Sequence, residues 1–311
     1  MKIILTGAAS FTGTWFARAL ADAGHHVVAP LRGSASDYDG VKSARIHILK
    51  DKVEIVENCA FGEQRFLAVL GGADWDLLAH HGAETTNYRS DDFDVMGALA
   101  SNACNVRAVL NALQKRNGSA VLLTGSVFEP NEGAGNIPLR AFSPYGLSKG
   151  LTADVFRYWT EQLGLTLGKF VIPNPFGPLE EPRFCAHLIN CWAKGEVAGV
   201  NTPCYVRDNI HISLLTKAYV NFATKVHSGK DFLQFNPSGY VESQGAFAQR
   251  FSREVGNRLG FEGRLNFANQ TEFPEPHVRI NTDIVKPTEL GWSEDAAWDE
   301  VANYYRHLFK A

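Results

Sequence analysis

Short, almost wholly apolar runs alternate with segments whose apolar residues fall three and four apart, and this alternation persists over the first 172 residues. Residues 2–5 (KIIL) read as a buried strand. The segment from Gly13 to Gly24 reads as a helix closed by glycine. Further strands fall at 25–31 (HHVVAPL), 52–58 (KVEIVEN), 74–83 (DWDLLAHHGA), 119–126 (SAVLLTGS) and 167–174 (LGKFVIPN). A long helical segment spans 94–118, and another spans 146–164. Continuous apolar strands separated by helices predict an α/β fold, a parallel, doubly wound sheet covered on both faces. After Pro173 the periodicity loosens and prolines recur at 173, 175, 178, 182 and 203. A smaller lobe is therefore expected over 173–311, with some of its segments returning to the sheet built by 1–172.

Composition changes this picture little. The 311 residues are 45% hydrophobic and 20% charged, as in an ordinary globular chain. A net charge of -3 offers no basic field for nucleic acid or an anionic membrane, so neither is expected as a partner. Five scattered cysteines contain no C-x-x-C pair, which points away from zinc and disulfides and toward a reducing, cytoplasmic setting. The apolar run near the start is too short for a signal-peptide core, and no stretch reaches the length of a membrane span. The pairs His25-His26 and His80-His81 lack the helical spacing of a metal motif, and no metal site is expected.

Candidate chemistry begins at residues 6–13, TGAASFTG, between the first strand and the first helix. Gly7 and Gly13 stand six apart, but Ser10 occupies the middle position of the glycine-rich phosphate loop. The stretch is either a dinucleotide loop or a plain strand-to-helix turn. In a phosphate loop, the small Ser10 side chain could itself donate to a phosphate oxygen. Farther along, SPYGLSK places Tyr145 and Lys149 four apart on one helical face. It follows a strand ending in LLTGS, which offers Thr124 and Ser126 at the carboxyl edge of the sheet, where doubly wound folds bind ligands.

With these motifs in order, the chain resembles the extended short-chain dehydrogenase/reductase family, whose members act mostly on nucleotide-sugars. The resemblance rests on TGAASFTG, DLLAHHGAE, LLTGSVFEP, SPYGLSK, NPFGP and YVRDNIHI, and it covers nearly the whole chain. It implies a Rossmann-like dinucleotide-binding domain over 1–172, a mainly substrate-binding lobe over 173–311, and a homodimer formed through helices over 98–113 and 145–159. It resolves TGAASFTG as the dinucleotide loop. It also implies a catalytic trio of Thr124, Tyr145 as acid/base and Lys149 as its activating lysine. Cofactor contacts are implied at Gly7, Ser10, Phe11, Thr12, Gly13, Arg32, Asn58, Cys59, Gly82, Ala83, Asn102, Tyr145 and Lys149. Asn58 stands where the family usually carries an aspartate near the adenine. Substrate contacts are implied at Ser126, Asn174, Arg183, Arg207 and Arg279, with Arg207 meeting the nucleotide diphosphate. The plain alternative for Arg207 is a salt bridge to a neighbour such as Asp208.

A tyrosine with an ordinary pKa near ~10 needs help to exchange protons at neutral pH, and a lysine ammonium one turn away supplies it. Family members that dehydrate sugars carry carboxylates just after the catalytic threonine, whereas this chain has Gly125 and Ser126. That leaves keto reduction, 4-epimerisation or oxidation. The second strand ends in VVAPLRGSAS with no acid to hold a ribose 2′-hydroxyl, and Arg32 and Ser34 are in reach. An arginine there suits a 2′-phosphate, so NADP(H) is expected to bind more tightly than NAD(H). The alternative for Arg32 is a solvated side chain stacking on adenine. The resulting expectation is NADPH-dependent reduction of a nucleotide-linked 4-keto-6-deoxyhexose. The alternatives are a 4-epimerase with tightly bound NAD and a non-enzymatic dinucleotide sensor.

Overall fold

The computed structural model describes residues 1–135 and 139–309. They divide into two units, the first made of Met1–Glu132, Leu139–Ile172 and Thr216–Asn236. The second takes in residues 133–135, Pro173–Leu215 and residues 237–309.

In the first unit strands and helices alternate as the pattern predicts. They run β1 (Lys2–Thr6), α1 (Phe11–Asp22), β2 (His26–Pro30), α2 (Gly40–His47), β3 (Glu54–Val56), α3 (Gln64–Gly71) and β4 (Leu77–His80). After these come α4 (Val95–Asn102), α5 (Val106–Gln114), β5 (Ala120–Ser126), α6 (Pro144–Leu163) and β6 (Thr166–Ile172). The single long helix expected over 94–118 is two helices. Asn105 takes a left-handed conformation (φ 47°) and its amide donates to Gly62 O at 3.0 Å, so a tertiary contact breaks a segment whose periodicity runs on.

The chain continues through β7 (Asn174–Phe176), α7 (Phe184–Ala193), β8 (Ala198–Val200), β9 (Val206–His211), α8 (Ile212–Ser228) and β10 (Phe232–Phe235). It ends with β11 (Pro237–Ser238), β12 (Tyr240–Ser243), α9 (Gln244–Phe251), α10 (Asn257–Leu259), β13 (Leu265–Phe267), β14 (Val278–Arg279), β15 (Asp283–Ile284) and α11 (Glu294–Leu308).

Seven strands of the first unit form one sheet in the order β10-β6-β5-β4-β1-β2-β3, and every neighbouring pair is parallel. The expected doubly wound α/β architecture is therefore present. The strands are buried because both faces are covered, one by a cluster that includes Leu78, Val109, Leu110, Leu123 and Phe156. On the other face Phe16 stacks on Tyr219 at 3.8 Å, and Phe170 packs edge-on to both. The strand order reverses between β1 and β4, and ligand crevices open at the carboxyl ends of strands at such a reversal.

The second unit is built differently. β9 lies between antiparallel β12 and parallel β14 and also pairs with β7, while β8–β13 and β11–β15 are two-stranded. Its core is aromatic: Phe176, Trp192, Phe247, Phe251 and Trp298 are all buried in one cluster.

Candidate active site

The loop after β1 is shaped by a close approach. Gly7 has φ 78°, and a Cβ there would stand 2.7 Å from Gly82 N, so the turns after β1 and β4 touch through bare backbone. Ser10 caps α1 by accepting Gly13 N–H at 3.2 Å. Its hydroxyl proton goes to Gly7 O at 2.8 Å. His81 Nε2 lies 3.0 Å from both Ser10 Oγ and Thr12 Oγ1. Because Ser10 already donates elsewhere, Nε2 carries the imidazole proton, and Thr12 is left with a hydroxyl proton to donate. His81 Nδ1 is buried with no hydrogen-bond partner. Burial, with the nearby Lys149 charge, brings the His81 pKa down to about 3. Phe11 begins α1 and is buried.

The turn after β4 is braced from behind. Gly82 N–H donates to Thr6 Oγ1 at 2.9 Å, Thr6 lies 3.0 Å from His80 Nδ1, and His80 Nε2 lies 3.0 Å from Asn102 O. The carbonyl can only accept, so His80 is protonated on Nε2, and Thr6 donates to Nδ1. Burial, then Lys149, lowers the His80 pKa to about 3. Asn102 is itself buried, accepts Glu84 N–H at 2.7 Å and reaches Thr152 of α6 at 3.4 Å. It therefore fixes the backbone that follows Gly82 and Ala83.

The end of β2 departs from expectation. No acid stands there in sequence, yet the fold brings three. Arg32 pairs with Glu84 at 3.3 Å. Ser34 N–H donates to Asp37 Oδ2 at 2.8 Å, Ala35 N–H to Glu57 Oε1 at 3.0 Å, and Ser34 Oγ to Glu57 Oε2 at 3.2 Å. Glu57 arrives because β3 lies parallel to β2, and the pairing continues beyond the strands as Asn58 N–H to Gly33 O and Cys59 N–H to Leu31 O. Asn58 has φ 51°, and Cys59 is buried.

At the end of β5, Lys149 is buried and donates to the backbone carbonyl of Thr124 at 2.6 Å. Burial lowers its pKa, Glu129 opposes that shift, and Lys169 adds to it. Tyr145 is half-buried in the first turn of α6, edge-on to Tyr88 (5.5 Å) and Phe93 (5.9 Å). The turn is set by Pro144 and by Ser143, which caps Gly146 N–H. Thr124 pairs with Phe170, so its side chain shares the face of Phe170 and lies near buried Tyr219. The two hydroxyls have each other as their nearest polar neighbours but form no well-shaped hydrogen bond, so Thr124 Oγ1 is buried under a sheet edge without a strong partner. Ser126 donates its N–H to Glu129 Oε1 at 2.7 Å and accepts Phe128 N–H at 3.2 Å.

The remaining predicted residues belong to the second unit. Asn174 opens β7, and Arg183 caps α7, exposed and 4.0 Å from Glu181. Arg207 and Arg279 are adjacent in register on β9 and β14, and Arg279 is buried. The Arg207 guanidinium reaches the carbonyls of Val206, Pro276 and His277 at 2.9–3.2 Å and Glu275 at 3.0 Å. Its ionic partner is thus Glu275, not Asp208. Sequence reasoning missed Glu57 and Lys169, which strand register places, and Glu132, which meets Lys169 across the fold. It also missed Asp37 and Glu129, whose signal was local, each accepting an N–H three residues back.

The glycine turn, the N-terminus of α1 and the weakly partnered Thr124 hydroxyl together fit a dinucleotide with a carbonyl-forming substrate. No group of three or more metal-binding side chains occurs among the described residues, and no helix there is long and apolar enough to cross a membrane. In sequence, the chain is 23% identical over 321 aligned residues to the UDP-glucose 4-epimerase of Mycolicibacterium smegmatis, covering 96% of both. In structure, it is similar to the UDP-glucuronic acid 4-epimerase of Bacillus cereus (TM-score 0.73, 19% identity, 99% of this chain and 100% of that one). It is also similar to the dTDP-glucose 4,6-dehydratase of Streptomyces venezuelae (TM-score 0.71, 15% identity, 99% and 97%). The family model of NAD-dependent epimerases and dehydratases matches residues 3–236. The chain therefore belongs to the NAD-dependent epimerase/dehydratase family, and with it to the extended short-chain dehydrogenase/reductase enzymes.

Proposed function

We propose that this enzyme is a 4-epimerase of a nucleotide-linked hexose that works with a retained NAD, in place of the net NADPH-consuming reduction expected from the sequence. The observation that carries this reading is the occupied loop after β2. A 2′-phosphate would draw on the N–H groups of Ser34 and Ala35 and on the Ser34 hydroxyl, and Asp37 and Glu57 already hold all three. Arg32, the residue that suggested the phosphate, faces Glu84. Two carboxylates beside a ribose repel a phosphate and accept from its hydroxyls. The likeness to 4-epimerases in sequence and structure supports the same reading.

When bound, the nicotinamide supplies removal and return of hydride at a sugar carbon. Gly7 lets the loop backbone approach the pyrophosphate, and the N-terminus of α1 and the Thr12 hydroxyl supply donors there. Tyr145 takes the proton of the sugar hydroxyl and returns it to the ketone oxygen, and the Lys149 ammonium favours the phenolate that does so. The weakly partnered Thr124 hydroxyl is the donor for the same sugar oxygen. With Gly125 and Ser126 after Thr124, no carboxylate follows directly in sequence to drive dehydration.

The test is to identify the nucleotide that co-purifies and to assay interconversion of UDP-glucose and UDP-galactose while following nicotinamide absorbance. Interconversion without net cofactor change, NAD bound at least about tenfold tighter than NADP, and a loss of ~10²-fold or more in Tyr145→Phe are expected. Stoichiometric NADPH consumption with a nucleotide-linked 4-keto-6-deoxy sugar would return the enzyme to the reductases. A Tyr145→Phe variant keeping more than about a tenth of the rate would remove Tyr145 from the proton transfer.

A further inference from the structure

Four charged side chains of the first unit are buried behind the end of β5, and only Lys149 has a part in the chemistry above. Lys169 of β6 lies 2.6 Å from Glu129 Oε2 and 2.7 Å from Glu132 Oε1. Glu129 is fully buried, and Glu132, Lys149 and Lys169 are each less than a tenth exposed. Glu132 also accepts from the amides of Gln234 (3.0 Å) and Asn236 (2.8 Å). Lys149 is anchored on Thr124 O, and the next residue, Gly125, stands directly against this group: a Cβ there would be 2.9 Å from Lys169 Cε and 3.2 Å from Glu129 Oε1. One residue of strand thus separates the anchor of Lys149 from the Glu129 carboxylate.

Two ammoniums and two carboxylates are neutral only as a set. Lys169 would repel Lys149 in a site of low dielectric, and that repulsion is cancelled only while both carboxylates are ionised. We propose that Glu129 is a positioning residue that holds Lys149 as an ammonium on the Thr124 carbonyl, with Lys169 and Glu132 as the rest of a charge-balanced buried set. This rests on the reading of Lys149 as the lysine that activates Tyr145. The charged and titratable groups that act on Lys149 are His80 and His81 from the end of β4, both neutral near pH 7, Glu129 after β5 and Lys169 on β6, with Glu132 behind Lys169 and Tyr145 one turn away on its own helix. Neutralising Glu129 leaves two cations to one anion. Lys149, already disfavoured by burial, then gives up its proton first, because Lys169 keeps Glu132.

The Nζ titration of Lys149 tests this directly, read by nitrogen-15 NMR on lysine-labelled protein as purified and assigned with Lys149→Met. Glu129→Gln keeps the size and the acceptor for Ser126 N–H but removes the charge. It is expected to lower the pH at which Lys149 loses its proton by about one unit or more, and to move the alkaline limb of the kcat–pH profile down by the same amount with KM unchanged. Glu129→Gln combined with Lys169→Met restores one cation to one anion and is expected to bring the titration back toward the wild-type pH. A Glu129→Gln protein whose Lys149 titrates as in the wild type would overturn the proposal, leaving Glu129 a purely structural group. Should Glu129→Gln not fold, the double variant must still titrate close to wild type, and a shift of a unit there overturns it equally. The titration needs no substrate turnover, so an inert enzyme with a shifting lysine would sink the epimerase reading and keep this one.

Discussion

The two units bury charge by different means. In the first, Lys169 meets Glu129 and Glu132, and Lys149 sits within the same field, so each charge is balanced by another that can titrate. In the second, Asp208 has no exposed surface, yet its carboxylate meets uncharged donors: Gly239 N–H at 2.7 Å, Asn281 N–H at 3.1 Å and the Ser238 side chain. Burial raises its pKa in spite of those bonds. Arg207 likewise meets three carbonyls alongside one carboxylate. Charge against charge makes the protonation state of one group depend on its partners, which suits a place where protons move. Charge against backbone dipoles pins segments that are far apart in sequence, since Asp208 ties β9 to the turn before β12 and to the chain after β14.

The sharpest way to break this contrast is Lys169→Met, which leaves Glu129 and Glu132 buried without their cation. A loss of about 3–5 kcal/mol is expected, because an uncompensated buried charge costs far more than its pair contributes. Urea unfolding followed by circular dichroism reads it, and a loss under about 1 kcal/mol would mean that the carboxylates are not dependent on Lys169. Asp208→Asn is the matching change in the second unit. One of its two N–H donors then faces an amide N–H₂, and about 1–3 kcal/mol is expected, seen as earlier proteolysis of the segments around Gly239 and Asn281. Earlier cleavage elsewhere in the chain, with these segments intact, would deny Asp208 its pinning role.

Mild acid gives the smallest effect per group. His80 and His81 in the first unit and His211 in the second have folded pKa values of about 3 against the ordinary 6.5, because burial disfavours the imidazolium. The unfolded chain takes up these protons near pH 6.5 and the folded chain does not until about 3, so the stabilisation is fully present above 6.5 and declines as pH falls between the two. At pH 5.5 each imidazole accounts for a loss of roughly 1.4 kcal/mol. With His80 and His81, and His25 lowered in the same direction, against His211, local unfolding in the first unit should respond more steeply, and hydrogen exchange at pH 7.0 and 5.5 measures it. Equal slopes in the two units would break the contrast.

The alternation of apolar runs and helix-period segments was enough to read the parallel sheet, because strands covered on both faces must be apolar throughout. The spacing of Tyr145 and Lys149 was legible for a similar reason, since four residues apart on a helix means one face. What could not be read depends on neighbours distant in sequence. Glu57 reaches Ser34 only because β3 lies beside β2, and the break at Asn105 answers to Gly62. The pair Arg207 and Glu275 and the aromatic core joining Phe176 to Trp298 span gaps that no local period records. The β2 loop is the instructive failure: residues 27–36 suggest an anion site, and Asp37, one residue beyond them, and Glu57 from beside β3 fill it with carboxylates.

The bare Cα of Gly125 also bears on what this chain can become by mutation. Any side chain there must displace Lys169, whose stem is pinned by two ion pairs, and would crowd the Glu129 carboxylate. An acid directly after Thr124, the residue that sugar-dehydrating relatives use, is therefore not one substitution away. The ion pairs behind the strand would first have to be dismantled, and each intermediate along that path carries a buried charge without its partner. In a lineage under selection for a folded protein, such steps are removed as they arise, so an ion-pair set that never meets the substrate narrows which reactions the descendants of this enzyme can reach.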